Sequence, residues 1–373
     1  MELSFLPVQF LARGGDIDGQ QRQVLYLADD LAQQNVTLTV TVSESGNLHN
    51  ELLLRGVESC VSRMSPWRSV ARVVDRYVDA HRLLRIARDR KVKIVHAHDV
   101  WRVEYARFIA RRLAIPYVVH VRGPLSQRDI KKHRLGLADT VIAIAQRYVD
   151  DLLQSGIEAA RITLIDDAVN LSLFTAAHAD TSYIQRNFGI QGPLLVGVVG
   201  RISAFKKICE FLGAVRRLPS EVLGMTEFVI AGEWDSSEYR QHVEAEVSRL
   251  ALMDRVHFIG RCSSDLMPKL LSSLDLLVTL SGGSVMFEAM AMRKPVLSIR
   301  SDGRHSQHTK HGLTAWCVDG NDEEAAAKAL THLLLDEELR NRLGDAARAW
   351  VERYLSSPAM VGKVKGLYEA LTR

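Results

Sequence analysis

Residues 276–299, LLVTLSGGSVMFEAMAMRKPVLSI, decide the fold class. Leu276 to Leu280 form an apolar run short enough for a buried strand. A Ser281-Gly282-Gly283-Ser284 turn follows, a helical pattern runs from Val285 to Met292, and Pro295 opens a second apolar run. Strand, glycine turn, helix and strand make a parallel βαβ unit. The glycines let the backbone approach a ligand, and a helix start leaves N–H groups that suit a phosphate. Glu288 sits about one turn into that helix, within reach of ribose hydroxyls beside the phosphate. From these residues alone, a plain βαβ connection with a surface glutamate accounts for the stretch equally well.

Working outward, the same alternation recurs on both sides. Strand 3–10 leads to a loop with Gly14, Gly15 and Gly19, then helix 20–34 and a β-branched strand at 36–42. This opens a Rossmann-like unit, but GxGxxG is absent at Gly14, so a nicotinamide site is poorly supported. Later strands read as 92–98, 116–121, 140–145 and 161–166. His96-Ala97-His98-Asp99 and Arg122-Gly123-Pro124 place polar residues at carboxyl ends of strands, where open parallel sheets bind ligands. Periodicity fades over 175–192, read as a linker, and a second series begins: 194–200, 228–233, 256–260, 274–280 and 295–299. Residues 336–373 are helical, broken at Leu355-Ser356-Ser357-Pro358.

At 373 residues, 47% hydrophobic and 25% charged, the chain has the composition of a globular protein with room for two domains. No apolar run approaches the roughly 18 residues that span a bilayer. Glu2 ahead of the first apolar run favours a core strand over a signal peptide. Cys60, Cys209, Cys262 and Cys317 lie far apart and read as reduced cysteines of a cytoplasmic protein. Thirteen histidines include no His-x3-His pair beside a helical acidic residue, so no metal site is expected.

The net charge of +4 is unevenly spread: residues 55–134 hold 20 lysines and arginines against 7 acidic residues. Within them, 69–93 reads as one amphipathic basic helix, or two broken near Asp79. Arg72, Arg76, Arg82, Arg85 and Arg88 form its basic side, and Val70, Val73, Val74, Tyr77, Leu83, Leu84 and Ile86 its apolar side. Anionic membrane, a phosphorylated substrate or nucleic acid would each be attracted to this charge, with binding to an anionic surface expected and a solvated helix face as the bland alternative. Nucleic acid is not expected, because no aromatic-interleaved basic motif accompanies the charge.

In this order, VGVVGRISAFKK (196–207), FVIAGEW, VHFIG, FEAMAMRKPVL and the closing VERYL…LYEAL closely resemble the GT-B glycosyltransferases, specifically the retaining, nucleotide-sugar-dependent family 4. The resemblance implies an α/β fold of two Rossmann-like doubly wound domains facing across a cleft. The boundaries expected are 1–185 for an acceptor-binding domain, 186–352 for a nucleotide-sugar-binding domain, and 353–373 for a helix packing back on the first domain. It further implies that Arg201 and Lys206 hold the donor diphosphate, that Glu288 binds ribose, and that Ser284, Val285 and Met286 offer amides to the phosphates. Arg261 falls where the family's backbone meets the base, and Gly14, Gly15, Gly282 and Gly283 complete the expected donor site. No cofactor or metal is implied. The acceptor would be a glycan or lipid-linked hydroxyl, in bacterial surface polysaccharide or lipid-linked glycan assembly at the inner face of the membrane.

Three positions depart from the family pattern. The first of its two glutamates is missing, since Leu280 and the Ser281-Gly282-Gly283 turn stand there. Lys207, not glycine, follows Lys206. Arg122 occupies the usual sugar-facing histidine position, with His120 two residues earlier on the same strand face, and the sequence leaves open which of them serves. The missing glutamate also admits an inactive, transferase-like binding or scaffold protein. Another GT-B enzyme, such as a sugar-nucleotide epimerase, is a third reading.

Overall fold

The computed structural model describes residues 5–17, 19–280, 282–300 and 305–373. Residues 1–4, with the opening of the expected first strand, and Ser281 of the glycine turn lie outside the described residues. The chain divides into two compact units, Met1–Ala168 with Ser357–Arg373, and Val169–Ser356.

The first unit is a seven-stranded parallel sheet: β1 Leu6–Ala12, β2 Val36–Val42, β3 Glu58–Val61, β4 Ile94–Ala97, β5 Tyr117–Val121, β6 Thr140–Ala143 and β7 Ile162–Leu164. Its order is β3-β2-β1-β4-β5-β6-β7, parallel throughout. Such strands are covered on both faces, which is why they read as nearly continuous apolar runs. Strand alternation divides β1 between the two layers. Val8 and Phe10 pack with helices Gly19–Ala32 and Ser357–Leu371, whereas Leu11 packs with helices Val73–Asp89 and Val103–Leu113.

The second unit has six parallel strands: β8 Leu194–Val199, β9 Thr226–Ala231, β10 Val256–Gly260, β11 Leu276–Thr279, β12 Val296–Arg300 and β13 Trp316–Asp319. Their order is β10-β9-β8-β11-β12-β13. In each sheet the strand order reverses beside the first strand, between β1 and β4 and between β8 and β11. Ligands of doubly wound sheets bind at the carboxyl ends beside that reversal. Edge strands β3 and β13 go beyond the expected set: each is four residues long and only partly buried, too short for an apolar signature.

Two boundary readings are corrected. The first break falls at 168/169 rather than 185/186, because residues 169–185 pack with the second unit. Phe174 and Ile184 are fully buried there, and the Asp180 amide donates to Ser272 Oγ at 2.8 Å. Spaced singly among polar residues, these anchors leave no periodic trace, so 175–192 resembled a linker. The second break falls at 356/357 rather than 352/353. Helix Ser357–Leu371 then buries Met360, Val361, Val364 and Tyr368 in the core of the first unit.

The basic helix is also corrected. It is one helix, Val73–Asp89, unbroken at Asp79, whose buried carboxylate accepts from the Ser65 amide at 3.0 Å. Leu83 and Leu84 face inward with Ala80 and Ala87. Val70, Val73, Val74 and Tyr77 are instead exposed, Val70 at 88% and Val74 at 74%, and Ile86 is half-buried. The expected single apolar side is therefore two: a buried one late in the helix and an exposed one at its start.

Candidate functional site

The second unit gathers cations at the carboxyl edge of its sheet. Gly200 follows β8 with φ 130° and donates its amide to the Ala231 carbonyl at 2.8 Å. Gly232 presses so close that a Cβ there would lie 2.0 Å from the Gly200 carbonyl oxygen. The chain then turns through Ala204–Lys206 and brings the Lys206 ammonium back beside Gly200, 3.5 Å from where a Cβ would stand. Burial, and next the positive charge of Arg300, lower the Lys206 pKa below the ordinary lysine value of 10.5. Among the described residues no carboxylate pairs with it. Arg201 projects into solvent, 73% exposed, with a loose 3.7 Å contact to Asp235.

Arg300 closes β12 and is 5% exposed. Its guanidinium lies 3.8 Å from where a Cβ on Gly282 would stand, so it borders the glycine turn. Arg300 lies one residue beyond the strand expected at 295–299, and an arginine ending an apolar run is the signal in the sequence that points to it.

The turn itself is built as the glycines require. Gly282 (φ 73°) donates to Thr279 Oγ1 at 3.0 Å, and Gly283 (φ 116°) caps helix Ser284–Ala291. A Cβ on Gly283 would meet nothing within 4 Å, which leaves open space beside the helix start. Of the three amides expected to face phosphate, that of Met286 is already spent on the Gly283 carbonyl at 3.2 Å. Ser284 and Val285 remain in the first turn, where helix amides lack intrahelical partners. Glu288 is 3% exposed, one turn further in. Arg261 follows β10 and makes a 3.5 Å ion pair with Glu233, both groups more than half exposed.

The carboxyl edge of the first unit has a different character. Gly14 and Gly15 follow β1 and are packed against residues 44–46, where a Gly14 Cβ would lie 2.1 Å from the Glu44 carbonyl oxygen. His120 and Arg122 are both inside: His120 is 2% exposed, and the Arg122 side chain, 3% exposed, is paired with Asp167. His120 Nδ1 meets His96 Nε2 at 2.9 Å, His96 Nδ1 meets the Tyr368 hydroxyl at 2.5 Å, and His98 Nε2 donates to the Gln20 carbonyl at 3.0 Å. Burial first, with Arg122 adding to it, lowers all three histidines, His96 to about 3 and the other two well below 6.5.

Among the described residues, His96, His98 and His120 are the one group able to share a metal, each with a ligand atom within 4.8 Å of the others. They come from neighbouring strand ends, so a search for helical His-x3-His spacing passes them over. A bound cation would have to displace the His96–His120 hydrogen bond and face the nearby Arg122 guanidinium. The arrangement is better satisfied as a neutral, hydrogen-bonded cluster.

Comparison with known proteins agrees with the fold. The family model described as "Glycosyltransferase Family 4" matches residues 17–173, and the one described as "Glycosyl transferases group 1" matches residues 181–350. Anabaena HepE, solved in complex with UDP and glucose, superposes with a TM-score of 0.82 at 17% identity, covering 98% of this chain and 99% of that one. Two glycosyltransferase family models thus match successive parts of the chain, whose fold is that of the GT-B glycosyltransferases and which resembles family 4. Among curated relatives, the N-acetyl-alpha-D-glucosaminyl L-malate synthase of Bacillus anthracis is 26% identical over 199 residues, covering 52% of this chain and 50% of that protein. A D-inositol 3-phosphate glycosyltransferase of Salinispora arenicola is 27% identical over 226 residues, covering 57% and 50%. The chain thus spans about half the length of the curated relatives it matches. No helix among the described residues is long and apolar enough to cross a membrane.

Proposed function

We propose that this chain is a retaining hexosyltransferase that moves a sugar from a nucleoside-diphosphate sugar to an acceptor hydroxyl. The observation that carries the reading is Lys206: a half-buried lysine whose ammonium is folded back beside Gly200 and a second cation, its pKa lowered, without an acidic partner among the described residues. A buried charge is costly unless paired, and a donor diphosphate supplies the missing anion. Lys206 and Arg201 then stabilise the charge that grows on the leaving diphosphate. The Ser284 and Val285 amides serve the phosphates and Glu288 the ribose, with Arg261 beside the base. The Gly282-Gly283 turn gives backbone approach where the family's first glutamate is absent. In the first unit we assign the sugar-facing role to His120, because Arg122 is tied to Asp167, and we keep Gly14 and Gly15 as proposed donor contacts.

The proposed setting is bacterial surface polysaccharide or lipid-linked glycan assembly, in the cytoplasm at the inner membrane face. Exposed Val70, Val74 and Tyr77 beside Arg72, Arg82, Arg85 and Arg88 favour contact with an anionic bilayer. The direct test is nucleotide release by purified protein from radiolabelled UDP- and GDP-sugars. UDP-glucose is a first probe, since HepE was solved with it. Release from at least one donor is expected; none from any, by protein that melts cooperatively, would leave the inactive-scaffold reading.

A further inference from the structure

The hydrogen-bonded chain behind His120 has a direction. Tyr368, carried by the last helix, is fully buried, and among the described residues its hydroxyl has one partner, His96 Nδ1. Burial raises its pKa, so the phenol keeps its proton. A buried O–H with one neighbour donates to it, because the alternative leaves a proton unsatisfied in an apolar interior. His96 is neutral and carries one ring proton. With Nδ1 accepting from Tyr368, that proton sits on Nε2 and is donated to His120 Nδ1. His120, neutral as well, then holds its single proton on Nε2.

We propose that Tyr368 is a positioning residue that fixes His120 as the Nε2–H tautomer, so that His120 offers a substrate oxygen a neutral hydrogen-bond donor and does not act as a base. The proposal rests on the reading that His120 is the sugar-facing group of the first unit. It gives the last helix a chemical task beyond filling the core, and it names the class of group recognised: a hydroxyl or ether oxygen acting as acceptor. His98 shows that the tautomers here are set by second partners. Its Nε2 must carry hydrogen toward the Gln20 carbonyl, which only accepts.

Long-range proton–nitrogen spectra of the nitrogen-15-labelled full chain, assigned with His120→Asn, read the tautomer without any substrate. The expected result is protonated Nε2 and bare Nδ1 on His120; the reverse overturns the proposal, and needs no variant to fold. Tyr368→Phe keeps the ring and removes the donor, so the His120 signals should show both tautomers and kcat should fall while the KM for donor holds. Unchanged tautomers in folded Tyr368→Phe would also overturn it. In turnover, His120→Asn, which keeps an N–H donor, should retain activity where His120→Ala loses about a hundredfold to a thousandfold. Equal loss in both contradicts the donor role. If the tautomer is Nε2–H but no nucleotide sugar is consumed, the functional reading fails while the Tyr368 assignment stands.

Discussion

The two sheets share a topology and a reversal beside their first strands, yet their carboxyl edges are electrostatic opposites. At the first, three histidines are held neutral, Arg122 is answered by Asp167, and the hydrogen bonds run inward to Gln20 and Tyr368. At the second, Lys206 is half-buried beside Arg300, its pKa lowered, and has no acidic partner among the described residues. In the function proposed above, unanswered charge marks the edge that an anionic ligand would complete, and polar groups that answer one another leave a fixed, neutral edge.

The largest effect expected concerns the first edge and acid. The histidines have folded pKa values below the unfolded value of 6.5, so below pH 6.5 the unfolded state binds more protons and stability falls as pH falls. Well below 6.5, each costs about 1.4 kcal/mol per further pH unit, roughly 4 for three, against total stabilities of about 5–15 kcal/mol. Denaturant titrations from pH 7 to 4 should show this steep loss, and His98→Gln, which keeps a donor for the Gln20 carbonyl, should remove about a third of the slope. A flat profile would mean the cluster already holds charge.

The second edge should respond through activity. Lys206→Ala is expected to keep its melting temperature and lose about a hundredfold to a thousandfold in turnover. Near-normal turnover would show that the ammonium does not act on the leaving diphosphate. Gly283→Val places a β-branched residue at φ 116°, a strain of about 1–3 kcal/mol, and fills the space beside the helix start. Calorimetric titration should show weakened binding of nucleoside diphosphate and nucleotide sugar alike, whereas Glu288→Gln should weaken only the ribose contact. Wild-type binding by folded Gly283→Val would reduce the turn to a connection. The smallest effect is expected on the surface: co-sedimentation with anionic liposomes should fall as salt rises, since exposed charges are screened over about 8 Å at physiological ionic strength. Salt-insensitive binding to neutral and anionic vesicles alike would remove the arginines from the account.

Much of the fold was legible because parallel strands buried on both faces write themselves as apolar runs, as at 194–200 and 276–280. Residues 169–185 were not legible, since Phe174 and Ile184 anchor them singly, and singly spaced anchors carry no period. The basic helix misled for the opposite reason: its apolar spacing was real, but Val70 and Val74 face outward, and periodicity does not say which apolar residues find a core. At the site, Arg201, Lys206 and Glu288 were visible through local motifs. Arg300 and Tyr368 were not, because each meets its neighbours through the tertiary fold: Arg300 from the next strand, and Tyr368 from the far end of the chain.

The central claim is that Lys206 is a depressed-pKa cation completed by the donor diphosphate, and proton linkage tests it most directly. Pairing with the diphosphate restores the charged form, so binding at a pH near the lowered pKa must take up a proton. Calorimetric titration of UDP and GDP in buffers of different ionisation enthalpy, from pH 7 to 10, measures that uptake. The account predicts, for the nucleotide that binds, uptake that rises with pH and affinity that falls with it, both absent in Lys206→Met. PH-independent binding, or identical linkage in wild type and Lys206→Met, would contradict it.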